Sequence, residues 1–152
     1  MAGARSRRPD ESGDGRRYVL EDQVGHLLRR AHQRATAVFL DRIGNGQLTP
    51  MQWAALVKLR DEGPLSQNHL GRLTAMDPAT IQGVVRRLRR RGLIERRADA
   101  NDRRRSVLRL TPAGGALVAE LDTNGLGVSE AILEPLDERE RRLLLALLRR
   151  IG

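Results

Sequence analysis

Residues 77–92 read DPATIQGVVRRLRRRG. Asp77 is a favoured N-cap, Pro78 suits the first helical position, and Gly92 suits the left-handed backbone that closes a helix. The stretch therefore predicts a helix over 78–91. Within it Ile81, Val84, Val85 and Leu88 fall at i, i+3, i+4 and i+7 and define one buried stripe. At ~100° per residue, Ala79, Gly83, Arg86 and Arg90 lie opposite, flanked by Thr80, Gln82, Arg87 and Arg89. The outer face is small near its start and cationic toward its end. Small residues let a helix approach base edges, and glutamine and arginine carry the forks that pair with adenine and guanine in a major groove. Gln82 and Arg86 are thus candidates for base contact, with Ala79 and Thr80 beside them, and Arg90 and Arg91 for phosphate contact. A merely solvated basic helix would show the same charge run, so the flanking segments decide.

Upstream, Ser66 caps a short helix over Gln67–Thr74, with Leu70 and Leu73 turned inward, and Thr74-Ala75-Met76 links it to the next helix. Two short helices with a tight link form a helix-turn-helix. The first turn of this short helix adds Ser66 and Gln67 to the candidate DNA contacts. Downstream, Leu93–Arg97 and Arg105–Leu110 read as strands around a polar turn, a two-stranded wing. The segment 98–105 is then a basic hairpin tip of the kind that enters a minor groove, where Arg103 and Arg104 are candidate contacts. Asp102 among these arginines predicts a local Asp102–Arg pair that stiffens the tip; an ordinary turn favoured by Asn and Asp accounts for it equally.

Further out, Leu20–Ile43 carries apolar residues at helical spacing, and Gly44-Asn45-Gly46 stops it. Thr49, Pro50 and Gln52 form a capping-box start, with Leu48 and Trp53 placed as a hydrophobic staple. Thr111-Pro112 opens a long helix that Gly114, Gly115, Gly125 and Gly127 weaken, which predicts a kink or fraying near Asn124. Asp137 and Glu140 start a last helix whose apolar face is Leu143, Leu144, Leu147, Leu148 and Ile151. The fold class is mainly α with a small two-stranded β-wing. Its expected parts are a disordered basic tail (1–17), an N-terminal dimerisation helix (18–47), a winged helix-turn-helix lobe (48–111) and C-terminal dimerisation helices (112–152).

Composition narrows the function. The chain has 152 residues, 39% hydrophobic and 31% charged, with a formal net charge of +9. That is enough apolar material for one core. Lys58 is the sole lysine among 28 cations, the rest being arginines. A mutational bias toward arginine explains part of this but not its placement: residues 86–105 hold ten arginines against three acids. Charge clustered on one supersecondary unit is the footprint of a polyanion binder. Only Tyr18, Phe39 and Trp53 are aromatic, too few for base-stacking platforms, so duplex DNA is favoured over single strands. No cysteine is present, which excludes disulfides, thiolate metal sites and cysteine redox sensing. His26, His32 and His69 make no metal motif, and no catalytic motif is present, so neither an enzyme, a cofactor nor a metal is expected. No apolar run is long enough to span a membrane, and Met1–Arg17 lacks the apolar middle of a secretory signal, which predicts a cytoplasmic protein.

The element order, together with the segments Leu65–Leu70, Arg90–Arg96 and above all Asn101–Gly114 (NDRRRSVLRLTPAG), resembles the MarR family of winged helix-turn-helix transcriptional regulators over about Tyr18–Ile151. The resemblance implies a ligand-released homodimeric repressor on a pseudo-palindromic operator, with recognition helices about one turn, ~34 Å, apart. It also implies a wing arginine in the minor groove, here Arg104 with Arg103 as its neighbour. The family senses small molecules, often aromatic acids or phenols, between the dimer helices and the DNA-binding lobe. Arg29, His32 and Trp53 are the corresponding candidate effector residues, arginine suiting a carboxylate; simple packing would also account for His32 and Trp53. The stretch Gln23–Arg34 is similar to regulators of nicotinate degradation within that family. A constitutive architectural DNA binder, or a helical interaction module with solubilising arginines, are the alternatives.

Overall fold

The computed structural model describes residues 17–43, 48–99, 102 and 104–152. The expectations for the tail up to residue 16, the Gly44-Asn45-Gly46 stop and Arg103 lie outside the described residues. Six helices and one hairpin follow in order: α1 (Val24–Ile43), α2 (Pro50–Glu62), α3 (Gln67–Leu73), α4 (Pro78–Arg90), β1 (Ile94–Ala98), β2 (Ser106–Leu110), α5 (Pro112–Leu133) and α6 (Glu138–Ile151).

The starts of five helices are written in local chemistry. Thr49, Ser66, Asp77, Thr111 and Asp137 each accept a backbone N–H from the third residue of the helix they open. At Thr49 and Asp137 the capping box is complete, because Gln52 and Glu140 accept the cap residue's own N–H in return. Gly92 closes α4 with φ of +66°, a value that costs a residue with a Cβ about 1 kcal/mol or more. The link between α3 and α4 instead puts Ala75 at φ +51°.

One core unites α2, α3, α4 and the hairpin with α5. Leu48 and Leu56 meet Leu70 of α3, Ile81, Val84 and Leu88 of α4, Leu108 of β2 and Val118 of α5, all almost fully buried. The stripe read on α4 is thus the buried one. Gln52 is the one buried polar residue among those described, and its capping role supplies its hydrogen bonds. The antiparallel hairpin pairs Ile94 with Leu110 and Arg96 with Leu108. Leu65 extends it by exchanging both backbone hydrogen bonds with Leu108, at 3.0 and 2.7 Å.

Five expectations need correction. Helix α3 ends at Leu73, and Leu73 is not turned inward but 38% exposed, because Thr74, at i+4 from Leu70, takes the half-buried place as C-cap and donates its hydroxyl to the Leu70 carbonyl. The first helix starts at Val24, not Leu20: Val19 offers no side-chain cap, so Leu20–Asp22 forms only a 3₁₀ turn and Gln23 is extended. The helix expected over 78–91 stops at Arg90, with Arg91 as its C-cap. The strands are Ile94–Ala98 and Ser106–Leu110, because Leu93 spends its N–H on Leu88 and its carbonyl on Thr111 and so has no ladder bond to give. Helix α5 is unbroken through Asn124. It packs against α1 and α2, where Gly125 lies against the Trp53 ring, and this packing outweighs four poor helix formers.

The apolar stripe of α1 is covered at only one end. Phe39 and Ile43 are buried, whereas Val24, Leu27 and Leu28 are exposed, as is Leu20 in the preceding turn. Helix α6 buries none of its residues, and Leu143 and Ile151 are 56% and 67% exposed.

Candidate nucleic-acid interface

The site is built from α3, α4 and the wing, which enclose an open groove of about 1170 Å³. Its cations come from two directions: Arg86, Arg89 and Arg90 from the outer face of α4, and Arg96 and Arg105 from the wing. Ser66, Gln67 and Gln82 supply uncharged hydrogen-bonding groups. On α4 the four core residues tie the inner face down, which forces Ala79, Gln82, Arg86 and Arg90 outward, and all four are exposed.

Several candidate side chains have local partners. The Thr80 hydroxyl donates to the Asp77 carboxylate at 2.8 Å, and the same carboxylate accepts the Thr80 backbone N–H at 2.8 Å. These bonds, the backbone one first, hold the Asp77 carboxyl below the usual carboxylate range. The Ser66 oxygen accepts from the His69 N–H at 3.3 Å. The Gln67 carbonyl accepts from Arg96 Nη2 at 2.8 Å.

The wing has two unlike faces, as strand alternation requires. Ile94, Arg96, Ser106 and Leu108 share one side, from which Ile94, Arg96 and Ser106 line the groove with Glu95 at its border, and Arg96 Nη1 donates to Ser106 Oγ at 3.2 Å. On the other side Glu95 binds Arg109 through Nε and Nη2 and Arg97 through Nη2 at 2.9 Å. Hydrogen bonds from Arg109 and then Arg97 hold the Glu95 carboxyl below its ordinary value. At the tip, the Asp102 carboxylate accepts the Arg104 backbone N–H at 2.9 Å, and the Asp102 carbonyl accepts from Arg105 N–H at 2.9 Å. Asp102 thus holds the turn through a backbone amide, in line with the ordinary-turn reading, and Arg104 stays exposed, while a side-chain pair with Arg103 lies outside the described residues.

The candidate effector residues lie elsewhere and are not joined by any hydrogen bond among the described residues. Arg29 Nη2 reaches His26 Nδ1 at 3.2 Å, His32 is exposed on α1, and Trp53 is half-buried against Gly125. Near Trp53, Arg60 of α2 bridges to Asp122 of α5 at 2.6 Å and to Asp61 at 2.7 Å, contacts that raise its already high pKa, Asp61 most. Lys58 is half-buried on α2, pairs with Glu62 at 3.5 Å and does not line the groove. Three groove arginines escaped the site reading from sequence: Arg89, Arg96 and Arg105. Strand alternation was the available signal for Arg96, because it sits two residues from the buried Ile94.

Known proteins share this architecture. The model of the MarR family matches residues 47–105. The HTH-type transcriptional repressor NicR of Pseudomonas putida is 42% identical over 138 residues, covering 91% of this chain and 87% of that protein. A crystal structure of a probable transcriptional regulator from Pseudomonas aeruginosa superposes with a TM-score of 0.84 at 51% identity, covering 88% of this chain and all of the other. The structure of Bordetella bronchiseptica BpsR, described with a mechanism for regulation of its DNA binding by 6-hydroxynicotinic acid, superposes with a TM-score of 0.83 at 39% identity, covering 89% and 96%.

Proposed function

The chain belongs to the MarR family and is a DNA-binding transcriptional regulator, and from that membership we propose a homodimeric repressor whose grip on its operator is released by a hydroxylated aromatic acid. The observation that carries the DNA-binding part is the groove itself, lined by five arginines from α4 and the wing. Helix α4 enters a major groove with Gln82 and Arg86 at base edges, Ala79 and Thr80 allow close approach, and Arg90 contacts phosphate. The wing tip carries Arg104, with Arg103 beside it, to the adjacent minor groove. Ser66 and Gln67 face the intervening backbone.

The dimer follows from what a single chain leaves uncovered. Helix α6 presents Leu143, Leu147 and Ile151 at i, i+4 and i+8 with nothing buried, and the N-terminal half of α1 presents Val24, Leu27 and Leu28. Apolar faces of this kind are covered by a second copy related by a two-fold axis. The same axis sets two α4 helices on one face of a duplex.

The ligand class comes from the relative BpsR, with Arg29 assigned to the carboxylate and His32 and Trp53 to the ring. The test is fluorescence anisotropy on DNA fragments selected by the protein from its own genome, titrated with 6-hydroxynicotinic acid. Wild type releases the DNA, and Arg29→Ala binds it equally well but no longer responds. Unchanged binding of wild type across the titration sinks the ligand assignment. An affinity indifferent to salt sinks the DNA-binding groove, because each phosphate contact contributes about 0.9 to the log–log slope.

A further inference from the structure

Arg96 lies on the inner face of β1, opposite Leu108 and diagonal to Ser106. Its guanidinium forks between two elements, with Nη1 donating to Ser106 Oγ at 3.2 Å and Nη2 to Gln67 Oε1 at 2.8 Å. It is the link that joins wing, hairpin partner and the first turn of α3 through one side chain. We propose that Arg96 is a positioning residue for DNA: it fixes the Gln67 carboxamide with the carbonyl turned toward the wing, so that the amide NH₂ is presented to a DNA phosphate.

The chemistry of the pair sets the direction. A guanidinium carries five N–H donors and no acceptor, so the Gln67 atom that faces it must be the carbonyl oxygen. The Gln67 Nε2 group is then left as a pure donor, in a groove with Arg86 and Arg90 whose lining carboxylate, Glu95, is already taken by Arg97 and Arg109, and a pure donor calls for an acceptor. Between a helix in the major groove and a wing in the minor groove runs the sugar–phosphate strand, which offers acceptors of that kind. A free glutamine would populate both flips and several rotamers. Holding one of them beforehand removes that ordering cost from the binding step. Arg97 and Arg109 cannot substitute for Arg96, because both point to the opposite face and are engaged by Glu95.

This assignment rests on the DNA-binding reading, and the experiment separates the two. Affinity is measured by anisotropy for a fluorescein-labelled duplex of mixed sequence, long enough for two half-sites one helical turn apart. Gln67→Ala and Arg96→Met are each expected to weaken binding about tenfold, the size of one hydrogen bond to a charged partner. The double variant is expected to lose no more than either alone. Arg96→Lys keeps the charge but not the fork, and is expected to behave like Arg96→Met. Melting curves accompany each variant; if Arg96→Met does not fold, the cycle is run with Arg96→Lys. Wild-type affinity in Arg96→Lys, or losses that multiply to about a hundredfold in the double variant, overturn the positioning role and make Arg96 an independent contact. Failure of wild type itself to bind the duplex would overturn the DNA-binding reading instead.

Discussion

Gly114 sets how closely α5 approaches the hairpin. A Cβ built there collides with the carbonyl oxygen of Leu93, and that carbonyl is pinned by the Thr111 N–H at 3.1 Å. Backbone cannot swing aside as a side-chain tip can, so Gly114→Ala is expected to destabilise the fold by at least about 3 kcal/mol. Its neighbour is the control: a Cβ at Gly115 meets nothing within 4 Å, so Gly115→Ala should stabilise α5 by about 0.5–1 kcal/mol. Chemical denaturation of both variants checks the pair, and equal effects would remove the Leu93 contact as the cause. Both glycines read alike in the sequence, as helix weakeners. Only the three-dimensional meeting of α5 with Leu93, just ahead of β1, separates a glycine that is required from one that is tolerated. Arg96 teaches the same lesson, since its pairing with Gln67 spans 29 positions and leaves no local trace.

Among elements, α4 was legible because its cap, its period and its closing glycine agree, and each is a property of neighbouring residues. The boundaries of the hairpin slipped by one residue because Leu93 is claimed from both sides by backbone partners. The outward face of α4 was legible where periodicity exposed it, at Ala79, Gln82, Arg86 and Arg90. In the wing the signal was β alternation, which puts Arg96 on the side of the buried Ile94 and Arg97 on the other, but only the exact strand register makes it usable. The outer face depends on Glu95. A carboxylate whose folded-state pKa is depressed contributes stability that is complete above the ordinary glutamate value and is lost as pH falls through the folded-state value. The melting-temperature gap between wild type and Glu95→Gln should therefore be open at neutral pH and close on acidification below about 4.3. A gap that stayed constant down to strong acid would show that the Arg97 and Arg109 contacts contribute nothing as ion pairs.

At the scale of the whole molecule, apolar surface is distributed unevenly. The lobe holding α2, α3, α4 and the hairpin has a closed core, whereas α6 and the first half of α1 show leucines and valines to solvent. The apolar face of α6 was plain in the sequence, but whether the chain itself would cover it was not, since periodicity identifies a face and not its partner. Replacing Leu143 and Leu147 with glutamate should give a folded lobe that sediments as a monomer. Binding to a duplex with two half-sites should fall at least about a hundredfold, the scale of a lost second attachment. A dimer that persisted in this variant would place the two-fold contact elsewhere.

The pairing of Lys58 with Glu62 on α2 has a practical sequel. Reagents that acylate primary amines find a single side chain in this protein, set on a helix apart from the groove, and guanidinium groups do not react with them. A dye coupled there would report on tumbling without touching the cationic cleft. By the same token, cellular acetylation of lysine has no handle on that cleft, whose charge stays constant whatever the acylation state of the rest of the chain.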